Sequence, residues 1–173
     1  MKKTRVYFLC RLALLCALAI ALSALEGVFT PLLPPFTKAG FSNVAVMLAA
    51  AFLGLPSALT VVLFKAAFAL LTRGAVAAFL SLAGGASSAL LLWLLFRYVR
   101  PLGVFGISIL GAITHSAVQL LASTLLYGRA VLAYAPVMLL LSLPSGVITA
   151  ALLSAGEHLF LHYLPQKRKD QDL

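Results

Sequence analysis

Negative charge is almost missing from this chain: four Asp and Glu stand against thirteen Lys and Arg in 173 residues. Both aspartates, Asp170 and Asp172, lie in the last four positions, so no aspartate-rich motif that could hold magnesium is present elsewhere in the sequence. Cysteine is equally scarce. Cys10 and Cys16 lie six apart in one expected helix, on different faces, so they neither bridge each other nor form a metal site. No glycine-rich loop is followed by the lysine and hydroxyl of a Walker motif, and no cofactor signature appears. A basic stripe with interleaved aromatics is lacking too, which argues against nucleic acid. Nor does any Ser/Pro-rich or charged linker divide the chain, so residues 1–173 read as a single integral membrane domain.

What fills the space is apolar. Hydrophobic residues make up 63% of the chain, charged residues 10%, and the mean hydropathy is +1.10. A small soluble core cannot hide so much apolar surface, so lipid must be the solvent and the expected class is all-α, a polytopic membrane helix bundle. Lys2, Lys3 and Arg5 before an apolar run ending in Ala21-Leu22-Ser23-Ala24 have the order of a signal peptide with a small-residue cleavage site. Arg11 inside that run, and its length of about 20 residues, favour a retained first helix.

That first helix is expected from about Val6 to Glu26, followed by an external loop from Gly27 to Ser42 that Pro31, Pro34, Pro35 and Gly40 keep from being regular. The stretch from Phe41 to Leu71 is either one long helix or two divided at Gly54-Leu55-Pro56-Ser57. Two helices place Lys2, Lys3, Arg5, Arg97, Arg100, Lys167, Arg168 and Lys169 in the cytoplasm and only Lys38, Arg73 and Arg129 outside. One long helix reverses the bias, so about six spans with both termini cytoplasmic are expected. Further helices are expected at Val76 to Tyr98 and Val104 to Tyr127. Pro136 and Pro144 should break the next apolar run into a short external or re-entrant helix near Val131 to Ser142 and a last helix from Ser145 to Tyr163, with a cytoplasmic tail at about 165–173.

Four constellations stand out. Ala13, Ala17 and Ala21 recur every fourth residue and form a smooth stripe, which suits either internal packing or a docking partner. His115 and Gln119 lie one turn apart near the middle of a span, where a polar pair makes an interhelical hydrogen bond or contacts a ligand. Lys65 lies inside a span, where its ammonium needs a carboxylate, a ligand anion or water. Glu26 is the one acidic residue before Glu157 and is a candidate ion-pair partner for it. Lys38, Lys65, Arg73 and Arg129 otherwise lack counter-charges toward the outer half, which fits either an anionic or zwitterionic ligand or snorkelling to lipid phosphates. Ser81, Gly84, Gly85, Ser87 and Ser88 permit close backbone approach by a helix or a ligand.

In order along the chain, Leu25-Glu26, Lys38-Ala39-Gly40-Phe41-Ser42-Asn43, Ser81-Leu82-Ala83-Gly84-Gly85 and the run from Gly106 through His115 to Gln119 resemble one bacterial membrane family, heptaprenyl diphosphate synthase component I or Gx transporter. The similarity spans about Leu25 to Glu157, and the Gly106 to Gln119 run is its most specific part. It implies a fold like the S components of energy-coupling factor (ECF) vitamin transporters, with six helices and an outward-facing pocket. In those proteins an alanine stripe on the first helix docks the coupling membrane subunit, so the resemblance favours docking at Ala13, Ala17 and Ala21. Lys65 stands where the family pattern suggests arginine, and Ser42 and Ser116 replace residues usually apolar and amide.

The expectation is a non-enzymatic substrate-capture subunit of a bacterial cell membrane for a small molecule, anionic if the uncompensated outer cations meet it, with Glu26, Lys38, Asn43, Lys65, His115 and Gln119 in the pocket. No metal or cofactor is implied, and coupling and ATPase subunits would be separate chains. The alternative is a non-catalytic membrane partner in polyprenyl diphosphate or quinone metabolism. A proton-coupled carrier would need an inverted repeat and a titratable relay, and neither is evident.

Overall fold

The computed structural model describes residues 2–29, 40–99 and 103–163, with side chains over 5–28, 40–99 and 103–155. Lys38 and the expected tail at 165–173 lie outside the described residues, as do the side chains of Glu157, His158 and His162. The elements are α1 (Lys2–Phe29), α2 (Asn43–Phe52), α3 (Leu55–Arg73), α4 (Ala75–Tyr98), α5 (Val104–Tyr127), a 3₁₀ helix (Arg129–Tyr134) and α6 (Ala135–Tyr163). The fold is therefore all-α. Five helices, α1, α3, α4, α5 and α6, are long and apolar enough to cross a membrane. The chain is a multi-pass membrane protein.

The division between α2 and α3 falls where the sequence has stop-and-start chemistry. Gly54 sits at φ +88°, a conformation that costs a residue with a Cβ, and Pro56 occupies the first turn of α3, where its missing N–H is not needed. Of the two arrangements considered, the split one is observed. α1 runs past Glu26 to Phe29, so Gly27 does not stop it. With ten residues, α2 rises only about 15 Å, half of the hydrocarbon thickness. It is nonetheless the centre of the molecule, packed against α1, α3, α4 and α6 and buried from Asn43 through Ala50.

The expected break before the last helix is not there. Instead of a short external or re-entrant helix over Val131 to Ser142, a 3₁₀ turn leads into one helix that runs through Pro136 and Pro144. Pro136 lies in the first turn, where proline is harmless. Pro144 does cost the hydrogen bond to the Leu140 carbonyl, but the turn beyond it is clamped to α5. There, the Ser108 hydroxyl donates to the Gly146 carbonyl at 2.7 Å, and Gly146 lies directly on the Ile109 backbone. Tertiary contact holds the helix where the local signal would end it.

Small residues set the helix spacing, as lipid offers no hydrophobic drive between helices. A Cβ on Gly85 would stand 2.7 Å from Val62 of α3, one on Gly111 2.7 Å from Leu92 of α4, and one on Gly146 2.8 Å from the Ile109 Cα. These contacts tie the antiparallel pairs α3/α4, α4/α5 and α5/α6. Around α2 the core is Ala19, Val44 to Ala50, Ala58, Val61, Val62 and Ala89.

The matched substitutions Gly146→Ala and Gly27→Ala test this packing, since a methyl at Gly27 meets nothing within 4 Å. Gly146→Ala should destabilise by about 1–3 kcal/mol through overpacking against rigid backbone, whereas Gly27→Ala should be neutral or stabilise by up to about 1 kcal/mol. Thermal unfolding of both variants in one detergent measures the difference; equal midpoints would contradict the packing.

Candidate functional site

The polar interior begins at the entry to α2. Residues 40–42 are not helical, yet Gly40 and Ser42 are buried, so the chain is inside the bundle before α2 starts. Irregular backbone is tolerated at that depth only where protein or a cavity satisfies it. Glu26 of α1 supplies part of that satisfaction. Its carboxylate accepts from the Ser42 N–H at 3.2 Å and from the Ser42 hydroxyl at 2.9 Å, which puts an anion at the positive end of α2. Glu26 is 2% exposed, and it is the sole carboxylate among the described side chains.

One residue further, Asn43 meets α3. Lys65, 3% exposed, donates to Asn43 Oδ1 at 2.7 Å, and Glu26 and Arg73 are the charged groups that act on it. At the end of α3, Arg73 Nη2 donates to the Ser23 hydroxyl at 2.9 Å, while its Nη1 has no partner among the described residues. Ser23 and Arg73 lie near the C-terminal ends of α1 and α3, so these helices run parallel and their polar groups share one end of the bundle.

A cleft opens at that end between α2, α5 and α6. Gly40, Asn43, Ala112, His115, Ser116, Gln119, Met138, Ser142 and Ser145 line it. It encloses about 350 Å³ of empty space out to its open mouth, but its narrow interior admits little more than one water. Glycines make it possible. Gly40 has φ +78°, and a Cβ there would collide with the Ser145 hydroxyl; a Cβ on Gly84 would lie 3.0 Å from both the His115 ring and its carbonyl. Gln119 is 2% exposed and makes no hydrogen bond to a described residue. The buried hydroxyls of Ser81 and Ser123 lack described partners as well. Because α4 and α5 are antiparallel and Gly84 faces His115, Ser81 comes level with Gln119 one turn outward.

Asn43, His115 and Gln119 thus meet at one cleft. Lys65 stands one layer behind, with Asn43 between it and the opening, and Glu26 is farther back on α1. Gly40, Ala112, Met138, Ser142 and Ser145 were not among the residues sequence reasoning selected. Ser142 and Ser145 lie three apart on one helical face, a signal hidden by the expectation that Pro144 ends the helix. Ala13, Ala17 and Ala21 are exposed on the outer face of α1, while Leu15, Cys16, Ala19, Ser23 and Glu26 point inward. Among the described residues, no three His, Cys, Asp or Glu side chains come together to hold a metal ion.

This architecture defines a polytopic membrane protein with a polar cleft at one end of a helical bundle. The heptaprenyl diphosphate synthase component I family model matches residues 15–155, and the chain belongs to that family. Among solved structures it is similar to one described as the S component of a bacterial ECF transporter, with a TM-score of 0.56 at 23% identity, covering 92% of this chain and 95% of that one. The likeness establishes a shared fold. No curated protein matches the chain.

A double-mutant cycle tests the anchor at α2. Removal of the Ser42 hydroxyl (Ser42→Ala) and neutralisation of Glu26 (Glu26→Gln) should each destabilise, with a coupling energy of about 1–2 kcal/mol between them in thermal or denaturant unfolding. Additive effects would mean that the two groups do not interact.

Proposed function

We propose that this protein is the substrate-capture subunit of a membrane transporter, taking a small solute from the outer side into the cleft between α2, α5 and α6. The observation that carries the reading is the convergence of Asn43, His115 and Gln119, buried polar side chains from two helices, on one opening inside an apolar bundle. Such groups are costly in a membrane unless something uses them. Ser142 and Ser145 add hydroxyls from α6, and Met138 in the lining is an unbranched side chain able to shift for a guest larger than water. Lys38, outside the described residues, belongs to the same reading as a cation on the adjoining segment.

Transport needs partners in this scheme. The chain has no Walker motif, so ATP-driven coupling would come from separate ATPase subunits and a coupling membrane subunit. The exposed stripe Ala13, Ala17 and Ala21 is the surface we assign to that coupling subunit, because small residues let helices approach closely in lipid. The similar solved structure, an ECF transporter S component, supports this assembly. The scheme sets the protein in the bacterial cytoplasmic membrane with both termini inside, the orientation that the Lys and Arg distribution favours. It assigns the chain no catalytic role.

The family description favours a second reading, a non-catalytic membrane partner of a prenyl diphosphate synthase. Purification from native membranes separates the two. Recovery of ATPases and a membrane coupling subunit, lost in an Ala17→Trp variant, is the expected result; recovery of a soluble prenyl synthase in their place would favour the second reading. Mass spectrometry of small molecules bound to the purified chain should find one that disappears in Gln119→Leu.

A further inference from the structure

The side chain that presents the cleft with its nearest positive field is Asn43, and a cation fixes which way it faces. Lys65 has only N–H donors, so the atom of Asn43 that accepts from it at 2.7 Å is the carbonyl oxygen Oδ1. Nδ2 must then point the other way. It lies 3.8 Å from where a Cβ on Gly40 would stand, on the cleft side, and donates to no described residue. The carboxamide thereby turns two N–H donors without a described partner to the opening, polarised by an ammonium directly behind it.

The charges around this pair do not cancel. Lys65 and Arg73 are positive, Glu26 is negative, and no other described side chain carries a carboxylate. With Arg129 just beyond the end of α5, three described cations stand against one carboxylate at the end of the bundle where the cleft opens. A carboxamide of Gln119, 2% exposed and unbonded to described residues, faces the same space. Among the described residues, no formally charged side chain lines the cleft itself. A neutral guest would leave that excess uncompensated, whereas an anion would offset part of it.

Resting on the capture reading above, we propose that the cleft takes the carboxylate, or a comparable oxyanion, of a small anionic solute on the Nδ2 donors of Asn43. Lys65 is a positioning residue: it never touches the guest but holds Asn43 with its donors toward the opening and supplies the balancing charge through it. Lys65, for which the sequence left a carboxylate, a ligand anion or water as partners, acts on the anion through Asn43. Selectivity between anion and neutral amide then resides in the orientation of one carboxamide.

Formate and formamide are near-isosteric three-heavy-atom probes that differ in charge, and guests of this size bind in the millimolar range. Saturation-transfer NMR on the purified full-length protein in detergent reads their formyl protons. Formate should bind about tenfold tighter than formamide, the margin expected between a charge-assisted and a neutral hydrogen bond. Asn43→Asp keeps the shape and the bond to Lys65 but turns the cleft-facing donor into an acceptor, so it should reverse the preference. Lys65→Met should lower formate binding while leaving formamide nearly unchanged, and thermal unfolding of each variant shows whether it is folded. If Lys65→Met does not fold, Asn43→Asp alone decides. Formamide binding as tightly as formate in the wild type would overturn the oxyanion assignment and leave the capture cleft standing. An unchanged preference in folded Asn43→Asp would remove Asn43 from the site. Binding of neither probe would overturn both the assignment and the capture reading.

Discussion

The two buried hydrogen-bonded contacts at the start of α2, from Ser42 to Glu26 and from Lys65 to Asn43, organise everything that surrounds the cleft. In a lipid-surrounded bundle, a backbone segment that enters without helical structure must find partners within the protein. Glu26 provides them for Ser42, and the same carboxylate is the one described counter-charge for the cations of α3. The contacts connect α1, α2 and α3 at one end and hold the short α2 in the middle. A helix of ten residues could not be kept there by its length, so its position depends on what it is bonded to.

That arrangement links two faces of the molecule. Glu26 sits on the inward side of α1, while Ala13, Ala17 and Ala21 of the same helix face outward. Through Ser42 and Asn43, the inward side leads to the cleft. A partner pressing on the alanine stripe would therefore bear on the helix that anchors the cleft wall, a route of physical contact rather than a demonstrated coupling.

Several parts of this were legible from residue order. The glycine and proline at 54 and 56 offered the α2/α3 boundary that the Lys and Arg distribution then selected, and the apolar runs marked α4 and α5 within a residue of their observed starts. His115 and Gln119, one turn apart in an apolar helix, identified a face that lines the cleft. The proline at 144 misled, because local chemistry ends a helix there and only the clamp from Ser108 to Gly146 shows why this one continues. Ser142 and Ser145 escaped notice for the same reason. Lys65 was recognised as a buried cation in need of a partner, but a chain of letters does not reveal that the partner is an amide 22 positions away.

Sequence alone determined the solvent, the helical class and the families of residues that must be hidden, since hydrophobic transfer and backbone satisfaction depend on composition and run length. It also limited the chemistry, as a chain whose only aspartates are Asp170 and Asp172 cannot assemble an aspartate-rich diphosphate site. Tertiary structure decided which polar groups bond to one another and which make no bond to a described residue. Glu26, Lys65, Asn43 and Gln119 look alike as buried polar residues in an apolar sequence. Their roles separate only through the direction and length of hydrogen bonds between helices, which are properties of packing and not of order along the chain.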